Sequence, residues 1–230
     1  WSGRDVLVIL LVIGALQALA GCFAGALGRF CERQGYREES VLLILETIIL
    51  HVAGFVTVLV LLRKNRVSWD SAFGFRLSGL GKRVGQGALC LLATMPPLLF
   101  YTWIYHLVLQ FAGFDAAPQD VLFAISEETS MAMRIFFIVL AAVLAPFFEE
   151  VLFRGILLPF LAQRLRLGVA IGIVSVLFAL MHWNVASFVP LFVLSVAFSL
   201  VYIYTESLLA SMVMHSMFNL VTISLLLSVR

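Results

Sequence analysis

Residues 146–155 read PFFEEVLFRG and lie inside an apolar run, residues 135–160, that is long enough to cross a bilayer. An Asp, Lys or Arg at the centre of a membrane helix costs about 2.5–3.5 kcal/mol, and a Glu is comparable. On a helix Glu150 and Arg154 share a face and can pair, whereas Glu149 points about 100° away from them. The stretch is therefore either a buried ion pair that holds helices together or part of a polar site.

The composition identifies an integral membrane protein. Of the 230 residues 63% are hydrophobic and 12% are charged, whereas soluble domains average about 25% charged residues. The formal net charge of +2 gives no reason to expect a nucleic-acid partner. The expected surroundings are the lipid bilayer, and the sequence does not define an oligomeric state.

Seven apolar runs follow one another along the chain, at residues 6–27, 41–62, 84–111, 135–160, 167–183, 186–204 and 207–229. They predict an all-α polytopic bundle of about seven transmembrane helices around a buried polar cavity. Residues 1–130 hold helices 1–3 with interfacial loops, and residues 131–230 hold helices 4–7. We expect one structural domain.

Three local features refine this prediction. Pro96-Pro97 should kink or break the third helix. Residues 112–130 read as a polar loop with a short apolar stretch. The Glu127-Glu128 pair in that loop lies outside any spanning run, so it is interpreted as a solvated loop or helix start and not as a site.

The distribution of basic residues predicts the orientation. The second, fourth and sixth loops carry eight Lys and Arg residues, and the first, third and fifth carry three. By the positive-inside rule this places the N-terminus in the cytoplasm.

The last four runs contain few strongly polar side chains, and facing lipid each would be costly, so they are expected to share one cavity. These side chains are Glu149, Glu150, Arg154, His182, His215 and Asn219. A carboxylate base, imidazoles and an amide donor are the groups that activate a water and stabilise an oxyanion. Two histidines and a glutamate would equally hold a divalent metal and leave a position for water.

Three motifs occur in order on successive hydrophobic segments: Glu149-Glu150-x-x-x-Arg154, then Phe178-x-x-x-His182, then His215-x-x-x-Asn219. This pattern resembles the CPBP intramembrane protease family, which includes the type II CAAX prenyl endopeptidases and the Abi or bacteriocin-processing proteins. The resemblance covers roughly residues 141–225. Residues 1–130 carry no motif, and substrate selection is expected to depend partly on them.

The resemblance implies an endopeptidase that cleaves a membrane-associated protein or peptide. In that reading Glu149 activates water with the help of His182, and Glu150 and Arg154 order the site. His215 and Asn219 hold the polarised carbonyl or a metal. The family is described as metalloproteases, so a zinc ion on Glu150, His182 and His215 is one expectation, and a metal-free attack by water is the other.

Functions of other classes remain open at this point. A non-catalytic scaffold, an immunity factor or a proton-coupled transporter would also bury carboxylates in a membrane. A transporter favours inverted repeats, which the sequence does not show. The substrate is not identified, although the compact size favours a bacterial protein, in which case the location would be the plasma membrane.

Overall fold

The structure is a computed structural model that describes residues 1–33, 38–74, 79–114, 119–128 and 130–228. Within these ranges the chain is helical and contains no strand, which confirms the predicted all-α class. The helices are α1 Gly3–Arg33, α2 Glu38–Asn65, α3 Trp69–Phe73, α4 Leu80–Phe111, α5 Asp120–Glu127, α6 Met131–Ala162, α7 Leu167–Met181, α8 Phe188–Thr205 and α9 Leu208–Ser228. Arg37 and Arg76, which contribute to the count of basic residues, lie outside the described ranges.

Six helices in the described part of the chain are long and apolar enough to cross a membrane. They are α4, α6, α8, α9 and the segments Gly3–Phe23 of α1 and Thr47–Asn65 of α2. The seventh apolar helix, α7, has only 15 residues. At 1.5 Å per residue it rises about 22 Å, less than the roughly 30 Å of a hydrocarbon core. The protein is thus a multi-pass membrane protein, with six candidate spans and one shorter apolar helix among the described residues.

The chain divides into two compact units, Trp1–Ser68 and Trp69–Arg230. In the first unit α1 packs against α2, and Asp5 accepts hydrogen bonds from the backbone N–H and the hydroxyl of Ser2 at 3.2 and 2.7 Å. The second unit contains all the motif residues. The predicted division at residues 130 and 131 stays a prediction.

Helix α9 is the centre of the second unit. It contacts α4, α5, α6 and α8, and α7 packs on α6 and α8. The outer face of the unit is apolar and exposed, as the side chains of Leu89, Leu92 and Trp103 on α4 show. Apolar side chains on the outside and polar groups inside are the pattern that a lipid environment favours.

Two local predictions change. Of the two alternatives predicted for Pro96-Pro97, the break does not occur, because helix α4 continues through both residues, and the kink stays a prediction. Two consecutive prolines remove only two backbone donors, and the turns on either side keep theirs. The predicted polar loop at residues 112–130 contains the helix α5. This helix forms because its apolar residues pack against the protein: Ile125 is buried, and α5 contacts both α6 and α9.

Close packing between α4 and α9 depends on Gly87. A Cβ atom at this position would lie 2.7 Å from the backbone oxygen of Ala210 and 3.1 Å from the backbone nitrogen of Met214. Backbone atoms cannot move aside as a flexible side chain can. A larger residue at position 87 would therefore push α4 away from the helix that carries His215.

Replacing Gly87 with Ala is expected to destabilise the protein by about 1–3 kcal/mol through overpacking. The matched control is Gly85→Ala on the same helix, where a Cβ meets nothing within 4 Å. Unfolding in detergent, followed by circular dichroism, measures both variants. Equal stability of the two variants would contradict the close contact between α4 and α9.

Candidate active site

Helix α6 carries the acidic motif and contains two π-helical segments, Leu140–Leu144 and Val151–Leu157. Each segment ends two residues before a proline, Pro146 or Pro159. Proline lacks a backbone N–H, and its ring clashes with the carbonyl four residues earlier in a regular α-helix. A wider turn relieves that clash, and π segments in helices are frequently found at functional sites.

The first π segment explains where Asn219 binds. The N–H of Ala145 donates to the carbonyl of Leu140, and Pro146 has no N–H to give, so neither serves the carbonyl of Ala141. The side-chain amide of Asn219 donates to this carbonyl at 2.7 Å. Asn219 thus joins α9 to α6 next to the acidic motif, and one of its two N–H donors remains for another acceptor.

Glu150 and Arg154 form the predicted ion pair, with 2.9 Å between Nη1 and Oε1. Both side chains are completely buried. The other terminal nitrogen of Arg154 donates to the backbone oxygen and the hydroxyl of Ser195 on α8, at 2.9 and 2.7 Å. The pair therefore links α6 to α8 and satisfies most of the guanidinium.

Helix α9 completes the shell around Glu150. The hydroxyl of Ser211 donates to Oε2 at 2.6 Å, and Nδ1 of His215 lies 3.1 Å from Oε1. A carboxylate paired with arginine only accepts hydrogen bonds, so Nδ1 of His215 is the protonated nitrogen and Nε2 is free to accept. Both oxygens of Glu150 are thus fully engaged by protein groups.

Glu149 has a different environment. Its Oε2 atom is buried and has no hydrogen-bond partner among the described residues. Nε2 of His215 lies 3.8 Å away, which is too far for a direct hydrogen bond. A water molecule within hydrogen-bond distance of both atoms would fill this gap. Among the described residues, Glu149 and Nε2 of His215 are thus two groups of the site that remain open to a further partner.

Aromatic rings enclose these polar groups. The ring of Phe198 stacks on His215, with 4.5 Å between centroids and 24° between planes. Phe178 meets His215 edge-on at 5.8 Å, and the guanidinium carbon of Arg154 lies 4.9 Å from the Phe178 centroid. The rings fix the orientation of the imidazole and keep water away from the ion pair, which strengthens it.

His182 also lies beside Phe178. Its ring centroid is 4.9 Å from that of Phe178, and its Nδ1 donates to the Phe178 carbonyl at 2.8 Å. The bond leaves Nε2 of His182 as the free nitrogen. His182 therefore belongs to the same aromatic cluster as His215 without touching the glutamates directly.

The residues offered for a metal do not assemble as a ligand set. No three His, Cys, Asp or Glu side chains lie together in a way that would hold a metal ion, within the residues that the structure describes. Glu150, one of the predicted ligands, already bonds Arg154, Ser211 and His215. The use of a metal stays a prediction.

Hydrogen bonds join three of the six predicted site residues, Glu150, Arg154 and His215, and Glu149 lies 3.8 Å from His215. Asn219 and His182 lie beside them. Sequence reasoning missed Ser195 and Ser211, although Ser211 stands one helical turn before His215 on the same face. It also misread Glu128, which is 7% exposed and accepts a hydrogen bond from the N–H of Ser130.

Fold and site together define a polytopic membrane protein with a carboxylate–histidine centre enclosed among its helices. Residues 131–221 match the family model described as type II CAAX prenyl endopeptidase Rce1-like. Residues 131–221 are thus similar to this family, which confirms the predicted resemblance, and all six predicted site residues lie within the matched segment. No curated protein and no solved structure matches the chain. At the family level, this similarity supports a protease that acts on a peptide or protein substrate.

Replacing Arg154 with Met is expected to lower the free energy of unfolding by about 3–5 kcal/mol, because Glu150 keeps a buried charge without its partner. Adding Glu150→Gln should recover most of this loss, since the amide still accepts from Ser211. Denaturant titration in detergent compares the two variants with the wild-type protein. A double variant as unstable as Arg154→Met would show that packing, not the stranded charge, causes the loss.

Proposed function

We propose that this protein is an intramembrane endopeptidase in which Glu149 activates a water molecule for attack on a peptide bond. Its substrate is a membrane-associated protein or peptide, processed as CAAX proteins or bacteriocins are. The observation that carries the proposal is the buried, unpartnered Oε2 of Glu149, 3.8 Å from the free nitrogen of His215. Such an atom is costly to bury, and it is explained if water or substrate occupies the gap.

The reaction can be written with these groups. The water oxygen bonds to the carbonyl carbon of the scissile peptide while Oε2 of Glu149 takes a proton from that water. The tetrahedral intermediate then collapses, the C–N bond breaks, and the same proton passes from Glu149 to the leaving amine. The second N–H of Asn219 would stabilise the oxyanion. Nε2 of His182, which is free to accept a hydrogen bond, would help to orient the water.

Adjacent glutamates take different roles because their partners differ. Glu150 bonds Arg154, Ser211 and His215, so it is held as a carboxylate and positions Nδ1 of the histidine. Glu149 has no such partners and keeps a lone pair for the proton of water. Glu150 and Arg154 are therefore positioning residues in this proposal, and Glu149 is the base.

The proposed setting follows the charge distribution. The N-terminus lies in the cytoplasm because the second and fourth loops carry most of the Lys and Arg. The proposed location is the plasma membrane of a bacterium. That the substrate carries a prenyl group is a further proposal, which extends the description of the family to this chain.

Replacing Glu149 with Gln should abolish cleavage, because the amide keeps the size of the side chain and cannot accept a proton from water. The assay uses detergent-purified protein and fluorogenic peptides with a carboxyl-terminal Cys-aliphatic-aliphatic-X sequence, with and without a farnesyl group. Thermal unfolding should be unchanged or improved, since a costly buried carboxylate is removed.

Glu127→Gln is the matched control, since Glu127 is an exposed glutamate outside the spanning helices. This variant should cleave at the wild-type rate. Retained cleavage by Glu149→Gln would exclude Glu149 as the base. No cleavage by the wild-type protein of any membrane peptide would favour the scaffold or transporter interpretation instead.

Removing divalent metals is expected to leave cleavage unchanged. The physical reason is that Glu150 has no free oxygen for a metal and that no three-residue ligand set is assembled in the described part of the chain. The measurement is peptide cleavage after dialysis against a chelator, with metal content determined on the same sample. Loss of activity that zinc alone restores would contradict this and assign His182 and His215 as ligands.

A further inference from the structure

The loop after His182 has to be stabilised by the protein. Helix α7 is preceded by Arg164 and Arg166, which hold its amino end at the membrane interface. Because the helix rises only about 22 Å, its carboxyl end falls short of the opposite interface. Non-helical backbone at that depth needs partners inside the protein, since lipid offers none.

The loop, residues 182–187, reverses direction abruptly. Trp183 has a φ of 47°, a left-handed conformation that is unfavourable for a residue with a bulky side chain. Such a conformation persists only where its surroundings hold it in place. One restraint is local: the N–H of Ser187 donates to the side-chain oxygen of Asn184 at 2.8 Å.

The other restraint comes from α4, which lies outside the segment that matches the family model. The hydroxyl of Tyr105 donates to the carbonyl of Val185 at 2.7 Å, and Nε2 of His106 donates to the carbonyl of Ala186 at 3.2 Å. These two adjacent side chains therefore bind two adjacent carbonyls of the loop. We call Tyr105 and His106 together the clamp. The helix that carries the clamp, α4, also packs along α8.

We propose that Tyr105 and His106 are positioning residues that hold the loop after His182 and thereby fix the imidazole of His182 in the active site. The inference rests on the proposed function, in which His182 helps to orient the water. Neither residue of the clamp touches the reacting atoms. The catalytic unit then includes α4 together with the motif helices.

The test uses the full-length protein in detergent with Tyr105→Phe, which removes only the hydroxyl. His106→Leu removes the second donor, and His106→Gln restores an N–H near the position of Nε2. The matched control is Tyr101→Phe, one turn earlier on α4, whose hydroxyl has no hydrogen bond to any described residue. Thermal unfolding identifies any variant that has lost its fold.

The first readout does not depend on activity. Diethyl pyrocarbonate modifies free imidazole nitrogens, and mass spectrometry gives the rate for each histidine. We expect His182 to react about three- to tenfold faster in Tyr105→Phe and His106→Leu. The reason is that the loss of one hydrogen bond increases the equilibrium population of the open loop by about that factor. His51 on α2 serves as the internal reference and should not change.

The second readout is kinetic. In Tyr105→Phe, kcat should fall about tenfold while KM stays within about twofold, because the catalytic geometry is lost and peptide binding is not. His106→Gln should recover the activity lost in His106→Leu. A change in KM alone, or equal effects of Tyr101→Phe, would overturn the positioning role.

An unchanged labelling rate of His182 overturns the proposal whether or not the protein cleaves peptides. Faster labelling with unchanged kcat also overturns it, because the loop would then be loosened without consequence for catalysis. A wild-type protein that cleaves nothing counts against the proposed function alone. In that case the labelling rates still decide whether the clamp holds His182.

Discussion

The buried ion pair between Glu150 and Arg154 is the interaction on which the rest of the second unit depends. Two charges removed from water are stable only when most of their remaining donors and acceptors find partners. Ser195 on α8 and Ser211 and His215 on α9 supply those partners. The requirement to satisfy one ion pair therefore fixes the relative positions of α6, α8 and α9, which are the helices that carry most of the site.

The aromatic cluster makes this pair effective. The ring of Phe178 lies next to Arg154, His182 and His215, and the ring of Phe198 stacks on the face of His215. In such a setting electrostatic interactions are stronger than in water, and an unsatisfied polar atom is correspondingly more costly. The same enclosure that stabilises the ion pair thus raises the free-energy cost of leaving Oε2 of Glu149 without a partner. It therefore favours the transfer of a proton to that atom.

Part of this arrangement could be predicted from sequence. The pairing of Glu150 with Arg154 follows from helical spacing, and the cost of polar groups in lipid predicts that His215 joins them. The role of Asn219 could not be predicted, because it depends on a π segment that leaves the carbonyl of Ala141 unpaired. Ser211 was missed since a serine in an apolar helix is common and becomes informative only when its neighbour across the interface is known.

The two adjacent glutamates show how stability and reactivity are combined in a short stretch. Consecutive residues on a helix point in directions about 100° apart, so a shell that satisfies one carboxylate cannot also satisfy the next. Glu150 takes the side facing α8 and α9 and becomes structural, and Glu149 is left facing the free nitrogen of His215. His215 connects both environments, because Nδ1 is held by Glu150 while Nε2 faces Glu149. Glu150 therefore orients the imidazole of His215 so that Nε2 faces Glu149. This arrangement requires the two glutamates to be adjacent.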